Sequence, residues 1–200
     1  MTSTVNITIE QYKKLWMDWI SLLEQQGTLN EKNKKELLLK PIEQNVFKSI
    51  SKFEIPEEVI KLYSIYNIDP NRNEWTFSVD SDGCFDLLSF EGIDEAWESV
   101  NDLIVDTEEE IKNNQFTDFG QTIDEEIDGK NCYARREWIP IATDRQGDYL
   151  LIDLVPTPKG KKGQIIMLSN ESWDRIIIAD SLYDLLTDQL NYLKSNMRNA

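Results

Sequence analysis

Histidine is absent from the 200-residue chain. That removes Ser–His–Asp and Cys–His nucleophile systems, histidine general bases and every histidine-ligated metal site. Cysteine is nearly absent: Cys84 and Cys132 are too few for a four-cysteine zinc site or a disulfide framework. They read as two free thiols in a reducing compartment. No apolar run approaches the ~20 residues that a membrane-crossing helix needs. Met1–Glu10 has neither the basic stretch nor the apolar run of a signal peptide. The expectation is a soluble, cytoplasmic protein with no membrane partner.

Basic residues are missing from one region in particular. Residues 80–128 hold a single cation, Lys112, against 17 acidic side chains. That stretch accounts for the whole net charge of −16, since both flanks are close to neutral. This charge argues against direct binding of nucleic acid, because neutralising phosphates needs a basic surface.

What the chain does have is a globular composition, 40% hydrophobic and 10% aromatic, with six tryptophans. Thr8 and Gln11 read as a capping box, followed by Tyr12, Leu15, Trp16, Trp19, Leu22 and Leu23 at helical spacing and by Gly27 as a stop. Further helices are expected within Asn30–Lys40, over Ile42–Lys52 with Val46, Phe47 and Ile50 inward, and over Pro56–Tyr66. From Glu74 the texture changes. Trp75–Val79 and Cys84–Leu88 predict a hairpin, and four more strands follow at Glu137–Ala142, Asp148–Val155, Gln164–Leu168 and Trp173–Ala179. Between the two groups lie a helix over Ile93–Glu110 and a polar, exposed loop over Asn113–Lys130; an amphipathic helix over Ser181–Lys194 closes the chain. Clustered strands between helices predict an α+β fold. Its sheet is antiparallel or mixed, spans residues 74–179, and is flanked by N-terminal helices, a central acidic helix and a C-terminal helix. Residues 1–41 read as a helical extension of a domain over 42–198.

The central helix is chemically unusual. At about 100° per residue, Ile93, Ala96, Trp97, Val100 and Ile104 share one face. Glu95, Glu98, Asp102, Asp106 and Glu109 share the opposite one. Glu98–Asp102 and Asp102–Asp106 are like-charge pairs four residues apart, each costing an isolated helix roughly 0.2–0.5 kcal/mol. Glu108, Glu109 and Glu110 crowd the C-terminal end, where the helix dipole disfavours anions. A stripe kept at such a local cost points to a basic partner, with Trp97, Phe116 and Phe119 as candidate apolar contacts.

Other motifs lead nowhere. Asp80-x-Asp82-Gly83 with Asp86 lacks the glycine position and leading helix of an EF-hand. Thr157–Gly163 lacks phosphate-loop spacing, and no carboxylate pair stands out as glycosidase machinery. No metal, cofactor or catalytic residue is expected.

The C-terminal third carries a connected run: Trp138-Ile139-Pro140-Ile141-Ala142, Asp144, Gly147-Asp148-Tyr149-Leu150, Ile152-Asp153-Leu154 and Gly163-Gln164-Ile165-Ile166. With the upstream Pro56-started helix, it resembles the SUKH superfamily over about Ile42–Leu193. The turn after that helix departs from the family pattern, with Asn67-Ile68-Asp69 in place of asparagine–glycine. The positions that carry the resemblance, Pro56, Trp138, Pro140, Asp144, Gly147, Asp148, Asp153, Gly163 and Gln164, read as structural, four of them from the residues themselves. Trp138 is a core residue, Gly147 a positive-φ turn residue, Asp144 an acceptor across that turn and Asp153 a partnered buried carboxylate. The resemblance implies a non-enzymatic α+β protein. Bacterial members mostly neutralise a cognate toxin encoded beside them, and fungal members regulate cell-wall synthesis. The leading expectation is an immunity protein that occludes a basic, nucleic-acid-targeting toxin domain; the alternative is a regulator or scaffold of cell-wall synthesis.

Overall fold

The structure, a computed structural model, describes residues 7–27, 29, 34, 41–47, 52–68, 76–79, 83–115, 117–130 and 132–198. Helix α1 spans Ile9–Gln25, α2 Gln44–Phe47 and α3 Glu57–Tyr63. The hairpin strands β1 (Thr76–Val79) and β2 (Gly83–Leu87) precede the long helix α4 (Phe90–Lys112). Strands β3 (Trp138–Thr143), β4 (Tyr149–Asp153), β5 (Gln164–Leu168) and β6 (Arg175–Ala179) lead to α5, Leu182–Arg198. The six strands form one sheet in chain order, and every pairing between them is antiparallel. This is the α+β architecture that strands clustered between helices require.

The alternation along the central strands divides two cores. Ile139, Ile141, Leu150, Ile152 and Ile165 face a large cluster with Tyr12, Trp16 and Trp19 of α1, Val59 and Leu62 of α3, and Leu185, Leu186 and Leu190 of α5. Trp138, Leu151, Ile166 and Leu168 point the other way, onto Val100 and Ile104 of α4 and onto Ile127 and Ala134. Helix α1 thus belongs to the same core as the sheet, its Trp16 stacked on Tyr66 with ring centroids 4.7 Å apart. Its N-terminus carries the complete Thr8–Gln11 capping box, and Gly27 beyond it has φ +71°. Glu58 ties the three helices: it accepts the Leu182 amide at the start of α5 and faces the Tyr12 hydroxyl, and burial pushes its carboxyl upward.

Four expectations change. Val46 is 37% exposed, whereas its neighbour Phe47 is buried as expected. Helix α3 stops at Tyr63, yet Tyr66 stays buried, held by α1 instead of by helical periodicity. Helix α4 starts three residues early because the Ser89 side chain accepts the Gly92 amide and caps it. The predicted helix within Asn30–Lys40 lies, apart from Lys34, outside the described residues, as do Ile50 and the Ser81–Asp82 turn.

The fourth change concerns the acidic segment, which is more than an exposed loop. Ile123 pairs with Arg175 as an isolated parallel bridge, and the Asp124 carboxylate accepts the Ile177 amide at 2.7 Å. The segment thereby covers the outer edge of β6, satisfying groups that an open edge would expose. Arg175 fastens it. Its fully buried guanidinium donates to the carbonyls of Cys132, Tyr133 and Trp173, and burial pulls its pKa down from the usual value. The β4–β5 loop grips the segment from the other side: the Thr157 amide and hydroxyl donate to the Glu126 and Glu125 carbonyls, and Lys159 pairs with Glu125.

A buried carboxylate joins the middle strands. Asp153, fully buried, accepts the Trp138 indole N–H at 3.1 Å, the Val155 amide at 2.9 Å and the Gln164 side-chain amide at 3.0 Å. Burial outweighs these three donors and pushes its pKa up. At the opposite end of β3 and β4, Asp144 Oδ1 accepts the amides of Gln146, Gly147 and Asp148, and Gly147 sits at φ +119°.

Asp153→Ala leaves two buried donors and one half-buried donor unmatched and should cost about 3 kcal/mol in urea denaturation. Asp153→Asn keeps the oxygen facing Trp138 and Val155 but opposes two amide groups at Gln164, so a smaller loss, about 1 kcal/mol, is expected. In Arg175→Lys one ammonium replaces a fork that reaches three carbonyls. Amide exchange at Asp124 and Ile177 should then accelerate roughly tenfold or more, while the β3–β5 amides keep their protection.

Candidate partner-docking face

Helix α4 buries one side and presents the other to solvent. Ile93, Ala96, Trp97, Val100, Ile104 and Thr107 are buried, and Glu95, Glu98, Asp102, Asp106 and Glu109 are all exposed on the far side. The five acids run along about 21 Å of helix, longer than the ~8–10 Å screening length of physiological salt. Lys52 binds Asp94 and Glu98 at the upstream end of the stripe. Among the described residues, no ion pair involves Glu95, Asp102, Asp106 or Glu109. Val105, 47% exposed, flanks the stripe on one side.

Trp97 is not part of this face. It is buried, its indole N–H donates to the Arg136 carbonyl at 3.0 Å, and its ring lies 5.2 Å from that of Phe53. Its alignment with Ile93 and Val100 makes it a core residue. Phe116 lies outside the described residues. Phe119 is 59% exposed just beyond the end of α4. The short turn around it is set by Asp118, which accepts the Gly120 amide at 2.8 Å, and by Gln121, which accepts the Phe119 amide at 3.0 Å.

Phe119 is the outer member of a stack that joins two connections, the segment from α4 to β3 and the β5–β6 loop. Its ring lies over Tyr133 (6.3 Å between centroids, 22° between planes), and Tyr133 lies over Trp173 (4.5 Å, 29°). Burial and the neighbouring Glu110 push the Tyr133 hydroxyl pKa up, which places that carboxylate beside the stack. Sequence reasoning missed Tyr133, Trp173 and Arg175. Tyr133 and Trp173 lie in connections, where no periodicity marks a face, and Arg175 is a lone cation at the start of the apolar strand β6.

The motif residues of the C-terminal third sit away from the acidic face. Pro56 is the buried N-cap residue of α3, and Pro140 lies beside a register shift between β3 and β4. Asp148 accepts the Asn170 amide, and Gly163, at φ +93°, donates its N–H to the Asp153 carbonyl. Gln164 joins Asp153 to the Glu126 carbonyl. Cys84 and Cys132 are free thiols, 48 positions apart in sequence. Among the described residues, no group of carboxylates and thiols is placed to hold a metal ion, and no helix is long and apolar enough to cross a membrane.

Comparison with known proteins matches these elements to one family. The profile described as SMI1 / KNR4 family (SUKH-1) matches residues 40–188, from just before α2 into α5. A KNR4/SMI1 homolog of Kluyveromyces lactis is 40% identical over 65 residues, covering 32% of this chain and 12% of the relative. The cell wall assembly regulator SMI1 of Saccharomyces cerevisiae is 35% identical over 63 residues, covering 32% and 12%. The cell wall biosynthesis/cell cycle regulator smi1 of Schizosaccharomyces pombe is 39% identical over 54 residues, covering 27% and 11%. The chain thus spans about a tenth of the length of these curated relatives. With the profile covering most of its sheet and flanking helices, the chain belongs to the SMI1/KNR4 family, SUKH-1, of the SUKH superfamily.

Proposed function

We propose that this chain is a non-catalytic binding module that regulates a partner by docking it on the outer face of α4, with cell-wall synthesis as the process served. One observation carries the reading. The outer face of α4 holds four acidic side chains, Glu95, Asp102, Asp106 and Glu109, that no described cation pairs and no core contact uses. Such a face draws a basic surface toward it at long range and fixes its orientation. The choice of process rests on the relatives, whose printed names are those of fungal regulators of cell wall assembly and biosynthesis.

Toxin neutralisation is the second reading. What favours it is the confinement of the entire −16 charge to residues 80–128. Enzymes that act on nucleic acids carry basic substrate channels, and a concentrated acidic face is suited to block one. The names of the curated relatives support regulation over immunity, so regulation takes first place.

In a fungal strain lacking its own family regulator, the chain should restore growth under cell-wall stress. The variant combining Asp102→Lys, Asp106→Lys and Glu109→Lys, with its fold verified by circular dichroism, should lose that rescue and slow partner association roughly tenfold or more. Equal rescue by both proteins would remove the acidic face from the mechanism. Rescue by neither would remove the regulatory reading. Survival on co-expression with a nucleic-acid-cleaving toxin domain would then establish the second.

A further inference from the structure

The Phe119–Tyr133–Trp173 stack is more than the fold needs. Its outer ring is over half exposed, and removing it would open no core. Its inner ring is held at some cost: Trp173 has φ +59°, a left-handed conformation that bulky side chains rarely adopt. The Trp173 amide donates to the Ser169 carbonyl, and its own carbonyl accepts the buried Arg175 guanidinium. Arg175 also holds the Tyr133 carbonyl. One buried cation thus fixes the backbone under two rings of the stack, and the Asp118 turn presents the third. Phe119 is in this way an exposed aromatic face on a rigid base.

Acidic groups outnumber cations around that face, with Arg175 buried beneath the stack and Lys112 in the last turn of α4. Asp118 precedes Phe119, Glu110 adjoins Tyr133, and the acidic stripe of α4 ends at Glu109 on the same stretch of chain. Resting on the reading of α4 as the docking face, we propose that Phe119 is its arginine anchor. A guanidinium from the basic partner lies flat on the open ring while the partner's other cations follow the acidic stripe toward Glu95. A planar guanidinium suits this position better than an ammonium, because it stacks on an aromatic face and sheds water more readily. The stack behind Phe119 holds the ring in place, so little ordering remains to be done on binding.

The test titrates the full chain with two short peptides, one alternating glycine and arginine, the other glycine and lysine, following amide shifts by NMR. The arginine peptide should bind roughly three- to tenfold tighter than the lysine peptide, with shifts centred on Phe119 and Gly120. Phe119→Ala and Phe119→Leu remove the π face from an exposed position without disturbing the core. Both should erase the arginine preference while the residual, salt-sensitive binding common to the two peptides persists. An unchanged preference in either variant, or no binding of either peptide to the wild type, would overturn the anchor. The charge variant of α4 tests the other level separately. Loss of peptide affinity there, with no change in Phe119→Ala, would keep the acidic face and discard the anchor. Intact affinity there, with the preference lost in Phe119→Ala, would keep the anchor and discard the acidic face.

Discussion

The carboxylate of Asp153 is the point on which the rest of the structure hangs. It lies at the end of β4, on the side of the sheet away from α1, with Trp138 of β3 and Gln164 of β5 both donating to it. Burying an ion is expensive unless its acceptors are filled, and here three N–H groups fill them. The arrangement extends outward from the sheet. Gln164 also reaches the Glu126 carbonyl, so the network that fixes the strand ends also fixes the acidic segment running from α4 back to β3. The loop at Gly160 closes over the same carbonyl, leaving no room for a side chain: a Cβ there would meet Glu126 O at 2.6 Å. A polar knot at the end of the sheet thus positions both the β4–β5 loop and the segment that leads from α4 back to β3.

The acidic face has the opposite character. Its residues hold nothing together, and the helix beneath them is secured by other means. Trp97, Val100 and Ile104 pack inward, Ser89 caps the start, and the chain turns out of the helix at Asn114, φ +55°. Since the fold is secured on the inner side, the outer side is free to carry charges that repel one another. The cost is small per pair, a few tenths of a kcal/mol, and a domain with two packed cores tolerates it. That separation between a side that builds the protein and a side that addresses a partner is the basis for assigning the function to α4.

How much of this was readable in the sequence depended on periodicity. The β3–β5 strands are short apolar runs bounded by turn residues and buried on both faces, and Asp153 stands out at the end of one of them. The inner and outer faces of α4 separate at 3.6 residues per turn, so both the buried and the acidic sets could be named in advance. The Asp144–Gly147 turn was legible because only certain residues tolerate its backbone. Where a contact joined separate loops, nothing announced it. Arg175 sits in an apolar strand, yet its three carbonyl partners come from residues 132, 133 and 173. The stack of Phe119, Tyr133 and Trp173 spans 54 positions of sequence. Helical spacing also placed Val46 inward with Phe47, and of the two only Phe47 is buried.

The central claim is that the acids of α4 serve a partner and not the fold, and one stability measurement on Asp102→Lys tests it directly. A lysine at position 102 turns two repulsive pairs, with Glu98 and Asp106, into two attractive ones. If the stripe is kept for binding, urea denaturation at low salt should show this variant more stable than wild type by about 1 kcal/mol, a gain that fades as salt is added. A variant less stable than wild type would mean that Asp102 supports the fold, and the assignment of the acidic face to a partner would fail.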